Sequence, residues 1–180
     1  IANPPYINVF ELEKDKSFDK EIYRNKYISA SGAFDLFVLF HQRCIELTKS
    51  RGISTLISPN KFLSAEYAKK LRQYILEMST FINLLDLSAV RIFEASVYPV
   101  VSLYKKSIQD EPIIVMRGYG EMGHIRIQKI GEYTQHELKN SPKLIWSFLI
   151  FGFPSIYQKM SKHRNIVEIC DVTASFSVDE

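Results

Sequence analysis

The chain has 180 residues, of which 46% are hydrophobic and 24% charged, with a net charge of +3. This balance excludes a disordered, fibrous or disulfide-stapled protein and supports one ordinary globular core. The mild positive charge permits a nucleic-acid partner without requiring one.

Ile1-Ala2 reads as the stub of a strand that runs into an Asn-Pro turn. Glu11 to Tyr27 is polar and rich in Lys and Asp, and reads as a mobile loop with a short helix near its end. From Phe34 the pattern turns helical: Leu36, Leu39, Phe40, Ile45 and Leu47 recur near helical spacing. Asp35 is placed as its N-cap or first-turn acid, and Gly52 as its stop. The β-branched run Ile53 to Ser58 is a buried strand, ended by Pro59-Asn60. Ser64, with Glu66 in the first turn, is expected to cap a helix. That helix puts Tyr67, Leu71, Ile75 and Met78 on one face, with Lys69, Lys70 and Arg72 elsewhere.

"FINLLDLS" is the next strand, and "VYPVVSLYKK" (Val97 to Lys106) follows with no helix between. Those two strands should therefore run antiparallel. The alternation predicts an α/β layered sheet. After Asp110 come two β-type runs joined by a Gly-rich turn, a hairpin or small meander. Gly118, Gly120 and Gly123 spell G-x-G-x-x-G, but "HIRIQKI" then alternates as a strand does. A nucleotide loop needs a helix there, so the hairpin turn is preferred. "SPKLIWSFLIFGFPSIYQKMSKH" reads as partly helical, broken by Gly152 and Pro154. "NIVEICDVTASFSVDE" opens a new β segment.

Cys44 and Cys170 read as buried thiols of a reducing compartment. His41, His124, His136 and His163 are scattered without ligand spacing, so no metal is expected. The longest apolar run, Leu144 to Phe153, is too short to cross a bilayer, and no membrane partner is expected.

Asn3-Pro4-Pro5-Tyr6 carries the chemistry. Each proline fixes its own φ and restricts the residue before it, so the loop is rigid and the Pro4 carbonyl has a set direction. Asn3 adds a side-chain acceptor nearby. Two acceptors held together suit an amino group with two N–H donors. The amine of a nucleobase is a poor nucleophile because its lone pair is delocalised into the ring. Accepting both hydrogens concentrates electron density on that nitrogen. Tyr6 offers a flat face for the ring. Preorganisation and positioning are the catalytic devices, with no charged base.

"NPPY" resembles motif IV of the amino-methyltransferases that use S-adenosylmethionine. "NPPYI", "YRNKY", "GAFDLFVLFHQRCIELTKSRGISTLISPNKFLSAEYAKKLRQYI" and "FEASVYPVVSLYKK" follow in the order of bacterial adenine-specific DNA methyltransferases of type II and type IIG restriction–modification systems. The resemblance covers about residues 1 to 106. It implies the C-terminal half of a Rossmann-like S-adenosylmethionine-dependent methyltransferase sheet, followed by a small β-rich and helical extension. It implies a cytoplasmic bacterial enzyme acting on double-stranded DNA, with an adenine flipped out of the stack.

On this resemblance, Asn3, Pro4 and Pro5 hold the target amino group, and Tyr6 stacks on the base. Phe93 stands on its other side, or is a core residue at a strand edge. Asp35 and Phe37 line the cofactor side, or cap the helix and fill the core. Asn60 sits at the ligand edge of the sheet. Lys61, Lys69, Lys70 and Arg72 meet DNA phosphates, or form a solvated helix face. Two alternatives stay open: a methyltransferase acting on protein glutamine or RNA, and a non-catalytic docking module. Cytosine also stays open beside adenine.

Most members carry the donor loop, a Gly-rich turn, before motif IV. This chain has no residues there and no F-x-G-x-G run. We therefore expect a fragment whose partner is the N-terminal half of the same protein. Residues 1–108 would be the partial catalytic domain, 109–165 a hairpin and helical connector, and 166–180 the start of a recognition domain. Half a sheet exposes an edge and an apolar face, so self-association is expected.

Overall fold

In the computed structural model the run Ile53–Pro59 forms strand β1, which buries Ser54, Leu56 and Ser58 on one face. Alternate residues of a strand point to opposite faces, so the period of two decides what is buried. The structure describes residues 1–15, 18–93, 97–121, 123–151, 159, 162–164 and 168–170. Strands β2 (Thr80–Asp86), β3 (Pro99–Lys105), β4 (Ile113–Glu121) and β5 (His124–Tyr133) join β1 in one sheet of order β1-β3-β2-β4-β5.

Strand β3 runs antiparallel to both β1 and β2 and inserts between them. β1 and β2 therefore point the same way without pairing. β4 pairs with β2 in parallel, and β5 returns antiparallel beside β4. The G-x-G-x-x-G letters lie in this hairpin, not at a helix start. Gly120 has φ +109°, and a Cβ there would sit 2.5 Å from the His124 carbonyl oxygen. The glycine is needed for the turn, not for a phosphate. Ala2 bridges Leu56 in parallel at the outer edge of β1, which matches the expected strand stub.

Helices α3 (Leu36–Leu47) and α4 (Lys69–Met78) cover one face of the sheet. Phe37, Ile45, Leu71 and Ile75 pack there with Leu56, Phe81, Leu84, Val100 and Tyr104. The C-terminal segment adds α5 (Gln135–Lys139), started by a Thr134–Glu137 capping box, and α6 (Phe148–Phe151). Between them Trp146 is fully buried, 5.8 Å from the Phe81 ring. Its indole N–H donates to the Leu138 carbonyl at 3.1 Å, so burial leaves no donor unpaired. On the opposite face of the sheet, Thr55, Ile57, Leu85, Val101 and Leu103 are only half-buried.

Several local expectations are corrected. Glu11 to Tyr27 carries the expected short helix near its end, α2 (Lys20–Lys26), but it also takes in the end of an earlier helix, α1 (Val9–Leu12); the Asn8 and Asp19 side chains cap the two. Gly52 does not stop α3, which ends at Thr48. The left-handed residue after it is Arg51, at φ 61°. Gly52 is instead a close approach, since a Cβ there would lie 2.9 Å from the Lys49 carbonyl. Ser64 does not cap α4. It closes a 3-10 turn over Asn60–Leu63, a second one follows at Glu66–Ala68, and α4 begins at Lys69. Met78 is exposed rather than packed on the core.

Cys170 is exposed, in a turn, and Cys44 is half-buried. Gly152, Pro154 and most of the expected terminal β segment lie outside the described residues. Among the described residues no helix is long and apolar enough to cross a membrane.

Candidate active site

The Asn3-Pro4-Pro5-Tyr6 loop leaves the Ala2 bridge beside the C-terminal end of β1. Pro4 is buried, Tyr6 half-buried, and Asn3 and Pro5 are exposed. The Tyr6 hydroxyl lies 3.1 Å from Asn3 Oδ1 and 3.2 Å from the Ile57 carbonyl, and shares its hydrogen between them. Burial raises its pKa, so it is a protonated donor at neutral pH. The ring meets Phe37 edge-on at 6.2 Å and Phe93 edge-on at 5.9 Å. The structure thus brings Asn3, Tyr6 and Phe93 together, with Phe93 perpendicular to Tyr6 rather than parallel.

A cleft of about 500 Å³ opens beside this loop, lined among others by Tyr6, Asn8, Asp35, Asn60, Lys61 and Tyr98. Its size is that of small-molecule sites, roughly 300–1,000 Å³. Asp35 precedes α3 but makes no capping bond with its side chain. Both its oxygens are engaged elsewhere. Asn8 Nδ2 donates to one and the Tyr67 hydroxyl to the other, each at 2.6 Å. Burial, then the hydrogen bond and charge of Asp35, push the Tyr67 hydroxyl pKa up. This pins the first turn of α3 against the chain that follows Tyr6.

Phe37 is fully buried in the core beneath Tyr6, so it supports that ring and does not line a cofactor pocket. Arg72 is also corrected: it is fully buried and does not face a phosphate. Its Nη1 donates to the carbonyls of Phe62 at 2.7 Å and Ala65 at 2.9 Å. It thereby holds the turn that carries Asn60 and Lys61. Lys61 is exposed at the cleft. Lys70 and half-buried Lys69 border a separate depression with Ser31 and Tyr67.

Sequence reasoning missed His41 and Tyr98. His41 is fully buried between the Tyr104 hydroxyl and Ser58 Oγ, 2.9 Å from each. Burial lowers its pKa to about 3, so it is neutral and cross-links α3 to β1 and β3. A lone histidine on an apolar helical face gives that role no signal in sequence. Tyr98 could have been found as the aromatic just before a strand at the ligand edge.

The sequence profile of the Eco57I restriction-modification methylases matches residues 1–93, just over half of the 180 residues. The chain belongs to the Eco57I restriction-modification methylase family. The chain is 30% identical over 94 residues to the type II restriction enzyme and methyltransferase RM.Eco57I of Escherichia coli, a match covering 52% of the chain and 9% of that protein. It is 37% identical over 78 residues to the adenine-specific methyltransferase PglX of Streptomyces coelicolor, over 39% of the chain and 6% of PglX. Its fold is similar to that of the type IIG restriction endonuclease BpuSI, with a TM-score of 0.58 at 15% identity, covering 81% of the chain and 20% of BpuSI. The chain thus spans a tenth or less of these two curated relatives.

The family implies S-adenosylmethionine. Of the two residues expected to line its pocket, Phe37 is sealed in the core, while Asp35 lines the cleft with each oxygen accepting one hydrogen bond. Asn3 and Tyr6 stand together at the end of β1, with the cleft beside Tyr6.

Proposed function

We propose that this chain is the target-binding part of a restriction–modification DNA methyltransferase that methylates the exocyclic amine of a flipped adenine, with S-adenosylmethionine as donor. The observation that carries the reading is the shared hydrogen of Tyr6. In this structure the Tyr6 hydroxyl occupies Asn3 Oδ1 at 3.1 Å with the Ile57 carbonyl 3.2 Å away as a second acceptor. An arriving amine can take Asn3 Oδ1 while the phenol gives its hydrogen wholly to Ile57. Asn3 then accepts one N–H and the Pro4 carbonyl the other. The loop needs no rearrangement, because its prolines and the Ala2 bridge already fix it. The base lies on the Tyr6 ring, which Phe37 holds from below.

DNA as substrate rests on the restriction–modification family and on RM.Eco57I; adenine rests on the motif and on the name of PglX. Duplex DNA hides this amine, so the base must leave the stack. On this reading Lys61 at the cleft, and Lys69 and Lys70 beyond it, meet phosphates. On this reading residues 1–108 form the catalytic part, 109–165 a connector, and 166–180 the start of a recognition domain.

Methyl transfer from labelled S-adenosylmethionine to mixed genomic DNA tests this, using the chain and the full-length gene product. The full-length protein should be active, and Asn3→Ala should lower its activity by about 10²–10³-fold. Asn3 is exposed, so the variant keeps its fold. Methylation of RNA or of a protein glutamine in place of DNA would overturn the reading.

A further inference from the structure

Gly118 stands inside β4, and unlike Gly120 and Gly123 it has no positive φ to explain it. What it provides is room. A Cβ there would lie 2.7 Å from Leu87 Cδ2, 3.1 Å from Ile125 Cγ2 and 3.6 Å from Val90 Cγ2. Leu87 and Val90 are 6% and 4% exposed, so the chain that follows β2 is packed down onto this gap. Beside it, Arg117 Nε donates to Asp86 Oδ2 at 2.8 Å, and Asp86 Oδ1 accepts the Ser88 N–H at 2.9 Å. Asp86 is 1% exposed, so a buried carboxylate ties the start of this loop to β4. From the other side the Leu87 N–H donates to the Pro99 carbonyl at 3.0 Å, so β3 and β4 grip the loop between them. Three residues beyond Val90 the same loop delivers Phe93 to the Tyr6 ring, edge-on at 5.9 Å. β4 lies outside the residues 1–93 that match the family profile.

We propose that Arg117 and Gly118 are positioning residues for the target base: they seat the loop 87–93 on β4 and so fix Phe93 against Tyr6. This rests on the functional reading above, in which the base lies on Tyr6. Neither residue touches the base. Gly118 sets how closely the loop lies on the sheet, and Arg117 sets where it leaves β2. A displaced Phe93 would let the base tilt out of the line that methyl transfer needs.

The test is a cycle with Phe93, made with the full-length gene product on mixed genomic DNA. The readout is the methylation rate at limiting DNA and saturating S-adenosylmethionine. Gly118→Val should lower it by about 10–100-fold, the scale of a small misplacement at a reacting centre. Leu87→Ala makes room for the new side chain, so adding it to Gly118→Val should restore most of the rate. Phe93→Ala should itself lower the rate by roughly tenfold. On that background Gly118→Val should cost less than about twofold. Arg117→Lys keeps the charge but not the fork that serves Asp86 and the Ile150 carbonyl together. It should show the same dependence on Phe93, and it decides the matter if Gly118→Val does not fold. The KM for S-adenosylmethionine should stay within about twofold throughout. Equal losses with and without Phe93, or a donor KM that rises in step, would mark a general structural role and overturn the assignment. So would wild-type rates in both variants. A wild-type protein that methylates no DNA would overturn the functional reading and this assignment with it. An active wild type with no coupling to Phe93 overturns this assignment alone.

Discussion

His41 shows how one side chain can bear on the site without touching it. Its two ring nitrogens bridge Tyr104 and Ser58, and Ser58 lies next to Ile57, whose carbonyl receives the Tyr6 hydrogen. The fold holds His41 neutral, with a pKa near 3 against 6.5 in the unfolded chain. Below pH 6.5 the unfolded state therefore binds a proton that the folded state refuses. Stability from this group is complete above pH 6.5 and falls as the pH drops toward 3, by up to about 1.4 kcal/mol per pH unit. Urea unfolding between pH 7 and pH 4 measures this slope, and His41→Gln should flatten it. An unchanged slope in the variant would assign the acid sensitivity to other groups.

The turn between β1 and α4 is held as an element, and Arg72 is its clamp. The carbonyls of Phe62 and Ala65 lie on either side of the turn, and one guanidinium reaches both. Burial lowers the Arg72 pKa to about 10, which still leaves it charged at neutral pH. Its Nε and Nη2 are buried without partners, a cost accepted for the two bonds that Nη1 makes. We expect Arg72→Ala to lower stability by about 2–4 kcal/mol, from the two lost hydrogen bonds to carbonyls and a cavity. Hydrogen exchange should quicken first in residues 60–68. A loss spread evenly over the sheet would show that the side chain only fills space.

Among the described residues, helices cover one face of the sheet and the other keeps a partly exposed apolar row. Across β1, β3 and β2, Ile57, Val101 and Leu85 fall in one row, with Thr55 and Leu103 in the next. All five are half-buried. Beyond them β5 is the outer strand, with Ile127 56% exposed. Apolar surface of this extent favours association, and an open strand edge offers a template for it. Sedimentation velocity should therefore show this chain forming dimers or larger species as its concentration rises. Val101→Lys should shift it toward monomer, while a wild-type monomer at high concentration would refute the expectation.

Sequence by itself determined the strands and the rigidity of the Asn3–Tyr6 loop. Those features are local: a β-branched run, a period of two, and prolines that fix their own φ. It also excluded the glycine decoy, because the residues after Gly123 alternate as a strand does. What it did not determine was which polar side chains the fold would bury. Arg72 and Lys70 look alike in a helical pattern, yet one is sealed against two carbonyls and the other faces water. Asp35 looks like a cap until Asn8 and Tyr67 arrive from distant positions to claim its oxygens. Only the tertiary structure decided these, because a buried polar group goes where its partners are, and the partners lie 7 to 32 residues away. Tyr98 belongs with them: its place at the cleft exists only once β3 has inserted beside β1.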